Sequence, residues 1–313
     1  MIHPDIHRFL TDWDKAWSTL PAGAGPAQRR AHFELVAAGM REPHPEGIVT
    51  DVHMVDVPET GTQVRVRTFR PEHTDSPLPA LIYMHGGAWM QGSPETHWDI
   101  TAGIAAANQQ IVLSVDYALA PEHPFPRALH ECTAVTRWAF DESDALGIDA
   151  DAIAIGGDSA GGNLAAAVTL VLRGSAYPLR AQLLVYPAVS FNTDRPSHRE
   201  NANGPLVTVA SMPLVNAMYS PDPAGLLNPL VAPLLAESHA KLPPAFIAVA
   251  EHDPLRDEGI AYAEALQDAG TPAVLDRGES LIHGYLRAKA FCGPAQASFE
   301  RMCAWLKEAT VTA

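Results

Sequence analysis

Cysteine is scarce in this chain. The 313 residues hold three, Cys132, Cys292 and Cys303, an odd number with no CxxC spacing, which excludes a disulfide framework and a cysteine-based zinc signature. Cys132 and Cys303 fall on apolar helix faces, where a thiol behaves as a small hydrophobe. Positive charge is also short: 21 Lys and Arg stand against 36 Asp and Glu, for a net charge of −15. Such a field repels phosphate backbones and anionic headgroups, so nucleic acid is excluded as a partner and neutral substrates fit best. Uncharged apolar runs long enough to span a bilayer are missing, and Met1 to Arg8 has no apolar core of signal-peptide length. The expectation is a cytoplasmic chain with no membrane partner. Among 14 histidines, His3 and His7 form the only i, i+4 pair on a helical pattern and no HExxH occurs, so neither a metal nor an organic cofactor is expected. Repeats and low-complexity tracts are absent too.

What is present is a globular composition, 47% hydrophobic and 18% charged, with ample material for one large core. The length suits a single large α/β domain with an insertion. Ile48–Val57 and Gln63–Phe69 read as two antiparallel strands around the turn Glu59-Thr60-Gly61. Shorter continuous apolar runs follow at 80–84, 111–115, 152–155, 182–186, 245–250 and 273–275, as in the buried middle of a parallel sheet. Between them lie helical patterns such as Leu129, Cys132, Val135, Trp138 and Phe299, Met302, Cys303, Leu306. The segment Ala160–Leu172 is apolar nearly all round, the mark of a helix buried on every side. Residues 1–42 carry two amphipathic patterns split by the breaker stretch Pro21–Pro26, and residues 190–235 interrupt the sheet pattern with prolines and a short helix near Met212–Tyr219. The expected division is N-terminal cap helices at 1–42, core at 43–189, a cap insertion at 190–235 and the core continued at 236–313. The alternative for the two irregular stretches is that they patch the sheet edge.

The chemistry-bearing residues begin with Gly157-Asp158-Ser159-Ala160-Gly161, a GxSxG between a strand and a helix. A sharp strand-to-helix turn strains the serine backbone, presents its Oγ at the top of the sheet and needs glycine where a side chain would collide. A nucleophilic serine also requires a base, an acid that orients the base, and amide donors for the oxyanion. His283, in Leu281-Ile282-His283-Gly284, lies just beyond the final strand pattern and is the only histidine after His252. Glu251, Asp253 and Asp257 all follow the strand at 245–250. Asp257 also suits the cap of the next helix and Glu251 lies close to the strand, so spacing favours Asp253 without deciding it. His85-Gly86-Gly87-Ala88-Trp89 follows the strand at 80–84, where the amides of Gly86 and Gly87 would join that of Ala160 around an oxyanion. Trp89, Met212 and Tyr219 are the candidates for lining a substrate pocket.

Together these motifs resemble those of the hormone-sensitive-lipase-like bacterial carboxylesterases. His85-Gly86-Gly87 resembles the family's HGG loop, Gly157–Gly162 its GDSAGG elbow, Asp253-Pro254-Leu255-Arg256-Asp257-Glu258 its DPLxDE acid loop, and His283-Gly284 its terminal HG. Asp116–Pro126 resembles the DYRLAPEHPFP segment, with Ala118 in place of the arginine, and Ala88 stands where a third glycine is common. The resemblance implies an α/β-hydrolase fold with a mostly parallel eight-stranded sheet, flanking helices and a helical cap. It implies a triad of Ser159, Asp253 and His283 acting on a small-molecule ester, and the absence of a signal peptide and of any long exposed apolar stretch favours short acyl chains. Amide, thioester and lactone hydrolysis are the rivals within the same machinery, and a non-catalytic small-molecule receptor of the same fold is the rival outside it. A homodimer is compatible with the sequence.

Overall fold

The computed structural model describes residues 1–74 and 76–311, so the last two residues of the 236–313 segment lie outside the described residues. In chain order the elements are α1 (Pro4–Trp17), α2 (Pro26–Gly39), β1 (Ile48–Val57), β2 (Thr62–Pro71), β3 (Leu78–Met84), α3 (Trp98–Asn108), β4 (Ile111–Asp116), α4 (Arg127–Asp141) and α5 (Ser143–Leu146). They continue with β5 (Ile148–Asp158), α6 (Ala160–Leu172), β6 (Ala181–Val185), α7 (Pro196–Glu200), α8 (Met212–Tyr219), β7 (Ala245–His252), α9 (Arg256–Asp268), β8 (Ala273–Ile282) and α10 (Gly293–Thr310).

The eight strands form one sheet in the order β1-β2-β4-β3-β5-β6-β7-β8. β1 pairs antiparallel with β2, in a register that closes at Val57 and Thr62, and β2 pairs antiparallel with β4. All remaining pairs are parallel. Alternation along β3 assigns the two faces: Ala80, Ile82 and Met84 enter one core with Cys132, Leu164 and Tyr262 of α4, α6 and α9. Leu81 and Tyr83 enter the other with Ile100, Phe299 and Ile6 of α3, α10 and α1. A strand that buries side chains on both faces shows no polar alternation, which is why the central strands read as continuous apolar runs.

β8 is the departure. Its sequence pattern marks only 273–275, yet the strand extends to Ile282. As an edge strand it pairs only with β7 and carries half-buried Asp276 and exposed Arg277, so charge interrupts its apolar run. Between Ala250 and His252 the pairing with β8 jumps from Gly278 to Ile282, a bulge over Glu279, Ser280 and Leu281. The bulge bends the end of β8 and delivers His283 to the top of the sheet. α1 buries Ile6 and Phe9 in the second core, whereas Pro26 and Arg29 at the start of α2 and Met212 of α8 border one cavity with Ser159 at the end of β5. Among the described residues no helix is long and apolar enough to cross a membrane.

Candidate active site

β5 ends at Asp158 and α6 begins at Ala160, leaving Ser159 alone in the bend with φ 55° and ψ −119°. A positive φ on a residue with a Cβ is costly, and it persists only where the surroundings over-determine it. Here they do. A Cβ on Gly157 would strike the Met84 carbonyl and the backbone of Gly161, and one on Gly161 would strike the same Met84 carbonyl. β3, β5 and α6 therefore approach more closely than side chains permit. Ser159 N–H donates to the Val185 carbonyl at 2.9 Å and its own carbonyl accepts from Asn163 N–H at 3.0 Å, so the bend is held on both sides.

The β8 bulge brings His283 over the serine. The Ser159 hydroxyl lies 2.9 Å from His283 Nε2, and His283 Nδ1 lies 2.7 Å from Asp253 Oδ2. Asp253 is fully buried and its other oxygen accepts from Leu255 N–H at 2.8 Å. The two competing carboxylates are committed elsewhere: Asp257 accepts from Ser197 N–H and pairs with Arg256 at 2.8 Å, and Glu251 accepts from Ser280 N–H on the bulge at 2.6 Å. Of the three carboxylates at and beyond the end of β7, Asp253 is the one that meets the imidazole.

The turn after β3 differs in detail from the sequence expectation. Gly86 N–H donates to Asp158 Oδ1 at 2.9 Å and is buried, so it is not free to meet an oxyanion, and the expectation for Gly86 needs correction. The amides of Gly87, Ala88 and Ala160 have no protein acceptor among the described residues. Ala88 adopts φ 57° and Trp89 φ 56°. Asp158 is the hub beneath this turn, accepting also from Tyr83 Oη at 2.8 Å, with His97 Nε2 at 3.5 Å. Burial acts to raise its carboxyl, but His97, Arg287 and the Tyr83 hydroxyl outweigh burial and hold it well below the usual carboxylate range. His85 packs behind the turn, stacked on Tyr117 with ring centroids 4.2 Å apart, and burial lowers its pKa to about 3. Its Nδ1 donates to the Gly86 carbonyl at 3.0 Å and its Nε2 is buried without a partner, which fits a neutral ring.

A cavity of about 580 Å³ opens directly on Ser159. Ala88, Trp89 and Ala160 form its floor, Phe191, Leu206 and Met212 line its walls, and Pro26 and Arg29 stand at its edge. Trp89 and Met212 both line this cavity. Tyr219 does not reach the cavity. It is buried behind Trp89, stacked at 4.2 Å and 7°, so its contribution is to hold the indole flat. A larger cavity of about 1170 Å³, bordered by Arg173, Tyr177 and Trp305, contains none of the candidate site residues.

The model of the alpha/beta hydrolase fold family matches residues 81–287, a span that takes in the turn after β3, the elbow, the acid loop and His283. The chain belongs to the alpha/beta-hydrolase family. An esterase of Mycobacterium tuberculosis, LipI, is 39% identical over 252 residues, covering 79% of this chain and 78% of its own. An ethyl acetate hydrolase of Pseudomonas putida is 32% identical, covering 91% of this chain and 92% of its own. Among solved structures, the hyperthermophilic esterase of Pyrobaculum calidifontis superposes with a TM-score of 0.89 at 33% identity, over 99% of both chains. Within the alpha/beta-hydrolase family, the motifs in the matched span are those that carry the resemblance to hormone-sensitive-lipase-like carboxylesterases.

Proposed function

We propose that this chain is a carboxylesterase that hydrolyses short-acyl esters through an acyl-enzyme on Ser159. The observation that carries the reading is the unbroken hydrogen-bond chain from Ser159 Oγ through His283 to buried Asp253. His283 takes the hydroxyl proton as Oγ attacks the ester carbonyl, while the Asp253 carboxylate fixes the imidazole tautomer and stabilises its cation. His283 then protonates the departing alcohol, and water repeats the sequence to free the acid. With Gly86 committed to Asp158, the oxyanion donors in this reading are the amides of Gly87, Ala88 and Ala160, worth about 3–4 kcal/mol each in the transition state.

The apolar cavity supports a neutral substrate, and the activity named for the Pseudomonas putida relative supports a small acyl group. We read residues 1–42 and 190–235 as the cap over that cavity, since Pro26 and Arg29 border it from one segment and Leu206 and Met212 from the other. The free, buried state of Cys132, Cys292 and Cys303 fits a reducing compartment, and we place the enzyme in the cytoplasm.

The test is a matched series of ester, thioester and amide substrates on the wild-type chain and on Ser159→Ala. We expect the ester to have the largest kcat/KM, and Ser159→Ala to lower kcat by at least about 10⁴-fold with an unchanged melting temperature. An amide preference would overturn the esterase reading. Hydrolysis that persists in Ser159→Ala would overturn the mechanism.

A further inference from the structure

Far from Ser159 in sequence, the first residues of the chain meet the start of the last helix. His3 caps α1 and Cys292 caps α10, and the two lie 289 residues apart with Cys292 Sγ 3.8 Å from His3 Nδ1. Asp5 Oδ2 lies 3.4 Å from the same nitrogen. The three donor atoms all fall within 4.8 Å of one another. A tetrahedral zinc ion, with bonds of about 2.0–2.1 Å to nitrogen, 2.0–2.2 Å to oxygen and 2.3 Å to sulfur, requires donor separations of about 3.3–3.6 Å. The spacing here is wider than that of a closed site, and the His3 Nδ1 lone pair now accepts Asp5 N–H at 3.3 Å, so a bound ion would draw the three donors together and replace that cap hydrogen bond.

We propose that His3, Asp5 and Cys292 bind a divalent zinc-like cation, with water at the fourth position. The charge balance suits it: thiolate and carboxylate together cancel the two positive charges, and each anion faces the positive end of a helix, where it is stabilised. The reading of the sequence paired His3 with His7 and expected no metal. It missed the site because the third ligand comes from the opposite end of the chain.

The consequence is mechanical. His3 N–H donates to the Ser280 carbonyl at 3.0 Å, and Ser280 belongs to the bulge that delivers His283. A cation at His3 therefore ties α1, α10 and the approach to the base into one unit.

The experiment is Co²⁺ titration of the metal-free chain, carried out without an N-terminal extension, followed by displacement with Zn²⁺. We expect one equivalent to bind, with an intense near-ultraviolet thiolate-to-cobalt absorption beside the weaker tetrahedral d–d bands. Zn²⁺ should raise the melting temperature. Cys292→Ser should abolish the charge-transfer band, and Asp5→Asn, a half-exposed position at which folding is undisturbed, should weaken binding by tenfold or more. Failure to bind would overturn the proposal. So would cobalt absorption that lacks the thiolate band and survives Cys292→Ser, because it would place the ion on the terminal amine and His3 alone.

Discussion

Four non-glycine residues, Ser159, Ala88, Trp89 and Leu206, face one cavity with positive φ. For Ser159 the geometry is the means by which Oγ stands clear of the sheet. For Ala88 it has no such justification: a left-handed alanine costs about 1 kcal/mol or more, and glycine adopts the same backbone without that cost. Ala88→Gly is expected to leave the backbone and kcat unchanged and to raise stability by up to about 1 kcal/mol, measured as the free energy of urea unfolding. A loss of stability would mean that the Ala88 methyl packs against the cavity floor more favourably than its backbone is strained. The glycine motifs, the serine and its base were legible because each rests on local chemistry at a recognisable place in the chain, whereas the acid was singled out among Glu251, Asp253 and Asp257 only by the family resemblance. The commitment of Gly86 to Asp158 was not legible, since it depends on how closely β3 and β5 approach. The position of Tyr219 was hidden for a related reason: an aromatic residue on a short helix reads alike whether it lines a cavity or backs the residue that does.

At the scale of elements, α2 is joined to the turn after β3, which carries the amides proposed to meet the oxyanion. Arg30 on α2 donates through Nε to the Met90 carbonyl and through Nη2 to the Ala120 carbonyl, both at 2.7 Å, and pairs with Glu122 at 2.6 Å. Glu34, one turn later, accepts from the Ser93 hydroxyl. One guanidinium thus fixes the outer side of the turn while Asp158 fixes the inner side. Displacements of about 1 Å at a catalytic group cost up to about 100-fold in rate. Arg30→Ala is therefore expected to lower kcat by about 10- to 100-fold with little change in KM, and Arg30→Lys to recover part of the loss. A change confined to KM in steady-state kinetics would show that α2 only borders the cavity. The helical periodicity of α2 was readable from Phe33 and Val36, which are buried. Its polar anchor was not, because an arginine on the outer face of an amphipathic helix ordinarily meets solvent. β8 was under-read for the converse reason: Asp276, which pairs with Arg301 of α10 at 2.8 Å, looks like the end of a strand and is its middle.

For the whole molecule, two sets of buried groups set opposing dependences of stability on pH. Burial lowers the pKa of His85 to about 3 and also lowers that of His97. Below about pH 6.5 the unfolded chain takes up protons that these folded rings refuse, so stability falls as pH drops through that window. Glu258 acts the other way. Burial raises its carboxyl well above the ordinary value of 4.5, so the folded chain holds a proton that the unfolded chain releases, and stability falls as pH rises above about 4.5. Glu258 accepts from Val189 N–H at 2.9 Å through one oxygen, while the other is buried without a partner. Glutamine matches that neutral shape. Glu258→Gln should equal the wild type in stability below pH 4.5 and gain on it above, by about 1.4 kcal/mol per pH unit until the folded carboxyl ionises. Urea unfolding of both proteins at pH 4.5, 6 and 7.5 would show it, and parallel curves would place a charged Glu258 in the folded core.

The crowding of Gly157 and Gly161 against the Met84 carbonyl bears on how such a chain can drift over generations. Neither glycine lines the cavity on Ser159, yet a single methyl at either one would force two strands and a helix apart. The serine can change to alanine without disturbing that packing, and a lineage that has lost its chemistry would keep the bend. Inheritance therefore guards the bend first and the reacting atom second: a descendant with both glycines and no serine is a folded protein free for another use, whereas one with the serine and neither glycine has lost the geometry that made the serine reactive.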